Sequence, residues 1–133
     1  TNLRYLDLSR NRIDSIPSSI AALTSLEYLD LSGNKLTGLP EEIGSLTALT
    51  YLGLNRNVIR GLPPSIGNLE SLEYLELWDN ELEDIPDEIG KLQSLKVLEL
   101  RGILLSEEEQ ARIDALVVKS AKINMSPSCN CKN

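Results

Sequence analysis

The chain has 133 residues, 20 acidic and 13 basic side chains, no histidine and a net charge of −7, which fits one acidic domain. This charge disfavours nucleic acid as a partner, because proteins bind nucleic acid largely through clusters of Lys and Arg. The same charge disfavours anionic membranes, and no run approaches the roughly 20 apolar residues that span a bilayer. We therefore expect a soluble protein with neither kind of partner, and we favour an intracellular location over export.

A pattern of leucines recurs with a strict 23-residue period and fills the chain as far as residue 105. A period of this length predicts one supersecondary unit stacked on itself. Phe is absent and aromatic residues make up only 4% of the chain, so a core of Leu and Ile is expected in each layer. The pattern is already under way at Thr1, and we expect the chain to be part of a longer protein. The five units begin at Leu3, Leu26, Leu49, Leu72 and Leu95.

Each unit starts with a predicted strand, because apolar and polar residues alternate from Tyr28 onward and in the equivalent segments. All strands run in the same direction with a return segment between them, so they should pair in parallel. A Pro opens each return segment, and apolar residues three apart then favour one short helical or 3₁₀ turn. Besides 28–31, the predicted strands are 4–8, 50–54, 73–77 and 96–100, and the prolines are Pro17, Pro40, Pro63 and Pro86.

An asparagine follows each of the first four strands at a fixed distance. An amide side chain has two donors and an acceptor, so a buried stack of amides can satisfy the backbone where the chain leaves each strand. We interpret these residues as structural. They are Asn11, Asn34, Asn57 and Asn80, and small residues at Ala21, Gly44, Gly67 and Gly90 should let neighbouring outer turns pack closely.

The pattern ends at Ile103, which stands where the fifth asparagine is expected. Ser106 follows with Glu109 three residues on, which is the sequence of a capping box. Apolar residues at helical spacing then predict a helix that covers the last layer, within 106–123. We expect the tail, 124–133, to be irregular. Its two cysteines, Cys129 and Cys131, could be free, paired or intermolecular, and a zinc site is disfavoured because the chain has no histidine.

These repeats resemble the leucine-rich repeat family, in the short 23-residue form found in many bacterial proteins, intracellular phosphatase-regulating subunits and Ras-pathway scaffolds. The resemblance covers residues 1 to about 105, and the segment after it is similar to the ends of bacterial members. It implies an α/β fold: a curved, right-handed solenoid with a parallel sheet on its concave face, short turns on its convex face and a C-terminal capping helix. It also implies protein recognition on the concave sheet.

The candidate binding residues are outward-facing positions that vary between repeats. Equivalent positions of neighbouring strands lie about 4.8 Å apart, so each position forms a column on the sheet. All four tyrosines share one column, and the next column is acidic in four of the five repeats. The predicted partner-binding residues are Tyr5, Tyr28, Tyr51, Tyr74, Trp78, Asp7, Asp30, Glu76, Glu99, Arg10, Arg56 and Arg101.

Each of these features also has a purely structural interpretation. Tyrosines support one another across strands, so their column could be scaffold as readily as binding surface. Trp78 is the only tryptophan and has no counterpart in the other repeats, which favours a partner contact over an incidental exposed aromatic. Residues 70–88 carry nine acids and no base. They form either a solvated face or a docking surface for a basic patch. A calcium site at Asp79, Glu81, Glu83 and Asp84 is disfavoured, because the Gly turn of the known motif is absent.

We therefore predict a non-catalytic module that binds a protein partner and needs no cofactor or metal. Catalysis is disfavoured because histidine is absent and the acidic residues lie in an open column, where nothing would separate their pKa values. Two alternatives stay open. The chain could self-associate as a scaffold through the uncapped edge of the first strand, giving a monomer or a weak homodimer. It could instead be the recognition fragment of a larger effector or signalling protein. Carbohydrate binding by the tyrosine column is a lesser option.

Overall fold

The computed structural model describes residues 2–127. Strands alternate with short 3₁₀ helices through four repeats, and an α-helix and a sixth strand follow the fifth strand. The strands are β1 (Tyr5–Asp7), β2 (Tyr28–Asp30), β3 (Tyr51–Gly53), β4 (Tyr74–Glu76), β5 (Val97–Leu100) and β6 (Lys122–Met125). The 3₁₀ helices are η1 (Ser18–Ala22), η2 (Glu41–Ser45), η3 (Pro64–Asn68) and η4 (Asp87–Lys91), and the α-helix is α1 (Glu107–Leu116).

All six strands form one parallel sheet in chain order. From β1 to β5 each strand pairs with the next in the register of the repeat, so that Tyr5 lies opposite Tyr28 and Tyr28 opposite Tyr51. The sheet lines the concave face of a right-handed solenoid, and the 3₁₀ helices line the convex face. The five predicted strands are confirmed, although the paired segments are shorter than the alternating pattern suggested.

The core is a column of leucines and isoleucines between the sheet and the 3₁₀ helices. Each strand points its middle leucine inward while the residues on either side face outward, because side chains alternate across a strand. Leu52, Leu75 and Leu98 are all inaccessible to solvent. Burying a leucine fully contributes about 1.5–3 kcal/mol, so the stacked layers hold the solenoid together.

The 3₁₀ helices follow directly from the prolines. Each proline precedes the first residue of a turn, with φ between −72° and −65°, close to the value that its ring imposes. Glycine is needed inside two of these turns: a Cβ on Gly44 would lie 2.8 Å from Ser65, and one on Gly67 would lie 2.8 Å from the Glu88 carbonyl oxygen. The predicted close packing of the outer turns is confirmed at these positions.

The asparagine column is structural, as predicted. The Asn57 side-chain amide donates to the carbonyl of Leu54 at 3.2 Å in its own coil and to that of Leu31 at 3.1 Å in the preceding coil. Its Oδ1 accepts from the backbone N–H of Leu36 at 3.0 Å. Asn34 and Asn80 repeat the same three contacts. One side chain thus joins two coils at each step.

The capping helix α1 is present, but its N-terminus differs from the full capping box. Ser106 Oγ accepts from the Glu109 backbone N–H at 3.1 Å, which is the N-cap half of that motif. The Glu109 carboxylate does not return to Ser106. It accepts instead from the Ile85 N–H at 3.1 Å and pairs with Arg112, because the fourth coil offers it a buried donor. Ile113 lies inside the core and covers the last layer.

Strand β6 corrects the expectation that the tail becomes irregular at Asn124. Lys122–Met125 pairs in parallel with β5, with Ile123 opposite Leu98 and Met125 opposite Leu100. The 23-residue period could not reveal this pairing, because β6 is out of step with the repeat register. Both Ile123 and Met125 pack partly buried against the core. The rest of the predicted tail, 128–133 with Cys129 and Cys131, lies outside the described residues.

No helix in residues 2–127 is both long enough and apolar enough to cross a membrane.

Candidate functional site on the concave sheet

Three of the four tyrosines form a continuous stack on the concave face. The ring centroids of Tyr5 and Tyr28 are 4.3 Å apart and those of Tyr28 and Tyr51 are 4.4 Å apart, with ring planes within 6° of parallel. Burial raises the pKa of Tyr28 to about 12, and it also raises the pKa of Tyr51. Both hydroxyls therefore stay protonated at neutral pH and can donate hydrogen bonds.

The stack ends at Tyr51 because of Gly53. A Cβ at Gly53 would lie 2.9 Å from Cε1 of Tyr51 and 2.7 Å from Oδ1 of Asp30, so both side chains occupy space that only a glycine leaves free. Tyr51 leans across this gap, and its hydroxyl donates to Glu76 Oε1 at 2.9 Å. Tyr74 forms no stacked pair within residues 2–127 and is exposed. The predicted column of four tyrosines is therefore a stack of three plus one separate ring.

Asn55 organises the next part of the surface, although it was not among the predicted binding residues. Its side-chain amide donates to Glu76 Oε1 at 2.9 Å, the same oxygen that accepts from Tyr51. Its Oδ1 accepts from the backbone N–H of Trp78 at 2.8 Å. Asn55 thus connects the tyrosine stack to the backbone that carries Trp78. Its place in the same column as Trp78 was visible in the sequence, but the partners of a single amide were not.

Trp78 lies beside Arg56 on the neighbouring coil. The guanidinium carbon of Arg56 is 4.7 Å from the Trp78 ring centroid, which is a cation–π contact, and 36% of Trp78 remains exposed. Arg56 has a φ of 55°, in the left-handed region that favours glycine. Gly33 and Gly102 occupy the equivalent position in other coils, whereas Arg10 and Asp79 share the left-handed conformation. Arg56 therefore holds its side chain on the tryptophan from a strained backbone position.

The acidic column is largely engaged in local hydrogen bonds. Asp7 accepts from the Ser9 hydroxyl at 2.6 Å and from the Ser9 N–H at 2.9 Å, and these donors hold the pKa of Asp7 below its usual range. Asp30 accepts from the Ser32 N–H at 3.0 Å. Gly53 interrupts the column before Glu76. These contacts relieve the repulsion expected between neighbouring carboxylates.

Glu99 differs from the open contact that the sequence suggested. It is only 8% exposed, its carboxylate accepts from the Arg101 Nε at 2.9 Å, and Asn124 of β6 donates to it at 3.5 Å. Burial would raise the pKa of Glu99, but the Arg101 contacts outweigh it and the pKa is lowered. The Glu99 carboxylate is thus held by Arg101 and Asn124 where β6 pairs with β5, whereas the Arg101 side chain is itself 61% exposed.

The acids of residues 70–88 surround the fourth coil instead of sharing one face. Glu73 pairs with Lys96 at 3.4 Å, Glu76 lies on the concave sheet and Asp87 pairs with Arg112 at 2.6 Å. Glu81, Glu83 and Asp84 lie together between β4 and η4. Within residues 2–127, no three His, Cys, Asp or Glu side chains are grouped so that they could hold a metal ion.

Known proteins with the same architecture were found by sequence-family and structural comparison. The family model for a leucine-rich repeat region matches residues 1–124. A leucine-rich repeat protein of Leptospira interrogans is 32% identical, with a TM-score of 0.79 over 96% of this chain and 33% of its own. The leucine-rich repeat ectodomain of the Arabidopsis thaliana receptor kinase GASSHO1/SCHENGEN3, in complex with CASPARIAN STRIP INTEGRITY FACTOR 2, is 37% identical, with a TM-score of 0.76 over 92% and 15%.

The plant peptide hormone receptor RGFR1, in complex with RGF2, is also 37% identical, with a TM-score of 0.69 over 90% of this chain and 21% of its own. The chain thus spans a third or less of the length of these structures. No curated protein matches it. The 23-residue register, the asparagine column and the family match lead to one conclusion: the chain belongs to the leucine-rich repeat family.

Proposed function

We infer that this chain is a non-catalytic recognition module that binds an extended segment of a protein partner on its concave sheet. The observation that carries this function is the exposed aromatic surface at β3 and β4, where Tyr74 and the Trp78–Arg56 pair are exposed on the same face. Trp, Tyr and Arg are the residue types that dominate binding energy at protein interfaces. The surface also rests on a hydrogen-bonded parallel sheet, and a preorganised surface loses less conformational entropy on binding.

The candidate residues divide into contacts and supports. We assign the partner contacts to the aromatic and basic side chains that are exposed or half-exposed on this face. They are Tyr5, Tyr28, Tyr74, Trp78 and Arg56. Hydrogen-bonded side chains support that surface, and this set comprises Tyr51, Glu76, Asp7, Asp30, Glu99 and Arg101. Arg10 lies on the same column as Arg56 and would contact a partner that extends over β1.

Two further arguments favour a protein or peptide ligand. Five coils, each with about five outward positions on the strand and the turn after it, provide about 25 residues, within the 20–30 that a standard interface uses on one side. Two of the similar structures are plant receptors bound to the ligands named in their descriptions. Those ligands belong to those receptors, but they show that this architecture can hold such a partner, and we extend that type of ligand to this chain.

The test uses Trp78 as a reporter, because it is the only tryptophan. Peptides are selected from a random displayed library against the wild-type chain, and their binding is followed by tryptophan emission and by calorimetry. Trp78→Ala and Tyr74→Ala should each weaken the selected peptides about tenfold or more, because hot-spot truncations exceed about 1.4 kcal/mol. Melting temperature should change little, since both side chains are exposed.

Glu42→Ala is the matched control, because Glu42 is exposed on the convex face in η2. It should leave affinity unchanged. Wild-type affinity in both aromatic variants, or an equal loss in Glu42→Ala, would show that the concave sheet is not the binding surface.

A further inference from the structure

A second surface lies at the C-terminal end of the solenoid, between the fourth coil and the capping helix. Residues 80–84 form one wall of an open cleft of about 890 Å³, and Leu104, Glu108 and Arg112 lie on the other side. We call it the terminal cleft. It lies between β4 and η4 along the chain, away from the aromatic rings of the concave sheet.

The terminal cleft exists because the asparagine column stops. Leu36 and Ile59 each donate their backbone N–H to the asparagine of the next coil at 3.0 Å. Their carbonyls accept from the next coil at 2.9 and 3.0 Å. Leu82 is the equivalent residue of the fourth coil, but Ile103 stands where its asparagine would be. Within residues 2–127, neither the N–H nor the carbonyl of Leu82 has a hydrogen-bonding partner.

These two groups belong to a residue that is only 3% exposed and lines the cleft. Buried backbone groups are nearly always paired. An extended peptide that adds to an unpaired backbone edge supplies both a donor and an acceptor. The terminal cleft therefore contains a backbone donor and a backbone acceptor, both on Leu82, that the next coil of the chain does not pair.

The walls of the cleft are acidic. Glu81, Glu83 and Asp84 are exposed on the side of the fourth coil, and Glu108 is exposed on the side of α1. Arg112 is the basic side chain of the lining, but its guanidinium is already bound by Glu109, by Asp87 and by the carbonyl of Ile85. A ligand in the cleft therefore meets uncompensated negative charge.

Leu104 adds an apolar contact. It is 77% exposed, more than any other large apolar side chain in the described part of the chain, and it lines the same cleft. An isolated exposed leucine needs no explanation by itself. Here Leu104 lies in the same cleft as the unpaired backbone of Leu82 and the acidic wall. The surface therefore offers hydrogen-bonding, charged and apolar contacts to one ligand.

We propose that the terminal cleft is a second docking surface, which takes an extended basic segment of a partner protein. The peptide group of one residue pairs with Leu82, an apolar side chain covers Leu104, and Lys or Arg side chains meet the acidic wall. Charge complementarity selects this occupant, since a second copy of the chain would bring a net charge of −7 to an acidic surface. The surface shares no contact residue with the proposed concave site, so either can fail without the other.

The test is a titration of the ¹⁵N-labelled chain with the peptide acetyl-Lys-Leu-Lys-Leu-Lys-amide, followed by NMR. Saturable shifts should centre on the amides of Leu82 and Leu104, and hydrogen exchange at the Leu82 N–H should slow at least tenfold on binding. The control peptide is methylated on the backbone nitrogen of its central lysine. It keeps the charge and the apolar side chains but loses one backbone N–H donor. It should bind at least tenfold more weakly, and equal binding would overturn the pairing with Leu82.

Two variants complete the test. The double substitution E83Q/D84N and the single substitution Leu104→Ser should each weaken binding of the peptide about fivefold or more, and both change exposed side chains. E41Q/E42Q on η2 removes the same charge from the convex face and should bind like wild type. The proposal is overturned by shifts centred on β3 and β4, by an equal loss in the control, or by Leu82 shifts that follow chain concentration without peptide.

Discussion

The first and last layers of this solenoid are built from the same repeat, but they differ in how well they are covered. Leu6 in β1 is only partly buried, and Tyr5 beside it is 60% exposed. The equivalent Leu98 in β5 is fully buried, because α1 and β6 close that end. An identical motif is therefore worth different amounts of stability in the two layers, since burial in a stacked repeat depends on the neighbouring layer.

The asparagine column shows the same difference. Asn11 is exposed, and within residues 2–127 its hydrogen bonds stay in its own coil, to the carbonyls of Leu8 at 2.8 Å and Ser9 at 3.1 Å. Asn80 is buried and joins two coils through Leu54, Leu77 and Ile59. The interior asparagines thus connect layers, whereas Asn11 shapes a single turn.

The largest expected effect comes from shortening the inward leucine at each end. Leu98→Ala should lower the free energy of unfolding by about 3–5 kcal/mol, because it leaves a cavity in a covered layer. Leu6→Ala should lower it by about half as much, because water already reaches that layer. Urea denaturation of the two variants measures both values. Equal losses would contradict the difference in cover between the two ends.

The asparagine comparison should give the next largest effect. Asn80→Ala removes both donors and the acceptor of a buried amide and leaves the Ile59 N–H unpaired, so we expect a loss of about 3 kcal/mol. Asn11→Ala should lose less than about 1 kcal/mol, since water can replace its contacts. Thermal unfolding followed by circular dichroism would separate the two. A loss in Asn11→Ala that matched Asn80→Ala would show that exposure does not decide the role of this column.

The contacts of Glu109 with Arg112 and the Ile85 N–H join α1 to the fourth coil, and a substitution at Glu109 tests whether they stabilise the C-terminal end. The pairing with Arg112, helped by the Ile85 N–H, outweighs burial and lowers the pKa of Glu109. Glu109→Gln should lower stability by about 1–2 kcal/mol at pH 7. A lowered pKa gives stability that is present above the unfolded value of about 4.3 and is lost as pH falls through the folded pKa.

Wild type should therefore lose more stability than Glu109→Gln between pH 5 and the acid limit, and hydrogen exchange should report this loss first in α1. Parallel pH profiles for the two proteins would show that the Glu109 ion pair does not hold the helix. Glu107→Gln, in the exposed first turn of the same helix, serves as the control.

The left-handed turn position includes the smallest predicted change, which is that of Arg56→Gly. Gly33→Ala should cost about 1–2 kcal/mol, because its φ is 71° and the new Cβ would lie 3.3 Å from the Arg10 backbone nitrogen. Arg56→Gly should be neutral or slightly stabilising, since relief of backbone strain offsets the lost contact with Trp78. Chemical denaturation checks both. A clear loss of stability in Arg56→Gly would assign Arg56 to the fold instead of the binding surface.

The repeating part of this fold was predictable because each position carries its own signal. The leucine period, the prolines before the 3₁₀ helices and the asparagine column were all visible in the sequence. Each has the role expected of it, except that Asn11 is exposed and not part of the buried stack. Strand β6 was missed because it is out of step with the repeat: Glu99 lies opposite Asn124, where the 23-residue period would place Lys122. Its short apolar alternation also resembles many loops. A repeat period predicts the elements that recur, but it gives no information on an element such as β6 that occurs once.

The candidate site was predictable as a set of positions but not as a set of contacts. The columns that contain the tyrosines, Trp78 and the acids follow from parallel register. The individual contacts depend on side-chain conformation and on β6, which the register does not give. Examples are the hydrogen bond from Tyr51 to Glu76 across Gly53, and the hydrogen bonds that Arg101 and Asn124 donate to Glu99. The sequence did show Ile103 in place of the fifth asparagine, but the unpaired backbone of Leu82 that results from it became visible only in the structure.

The central claim is that the concave sheet between β3 and β4 recognises the partner. Chemical-shift mapping of the ¹⁵N-labelled chain with a peptide selected against it tests this claim most directly, because it locates the ligand without any substitution. We expect the largest shifts on the Trp78 indole N–H and on the backbone of residues 51–56 and 74–79, with η1 to η4 unchanged. Shifts centred on the 3₁₀ helices, with the Trp78 indole unaffected, would contradict it.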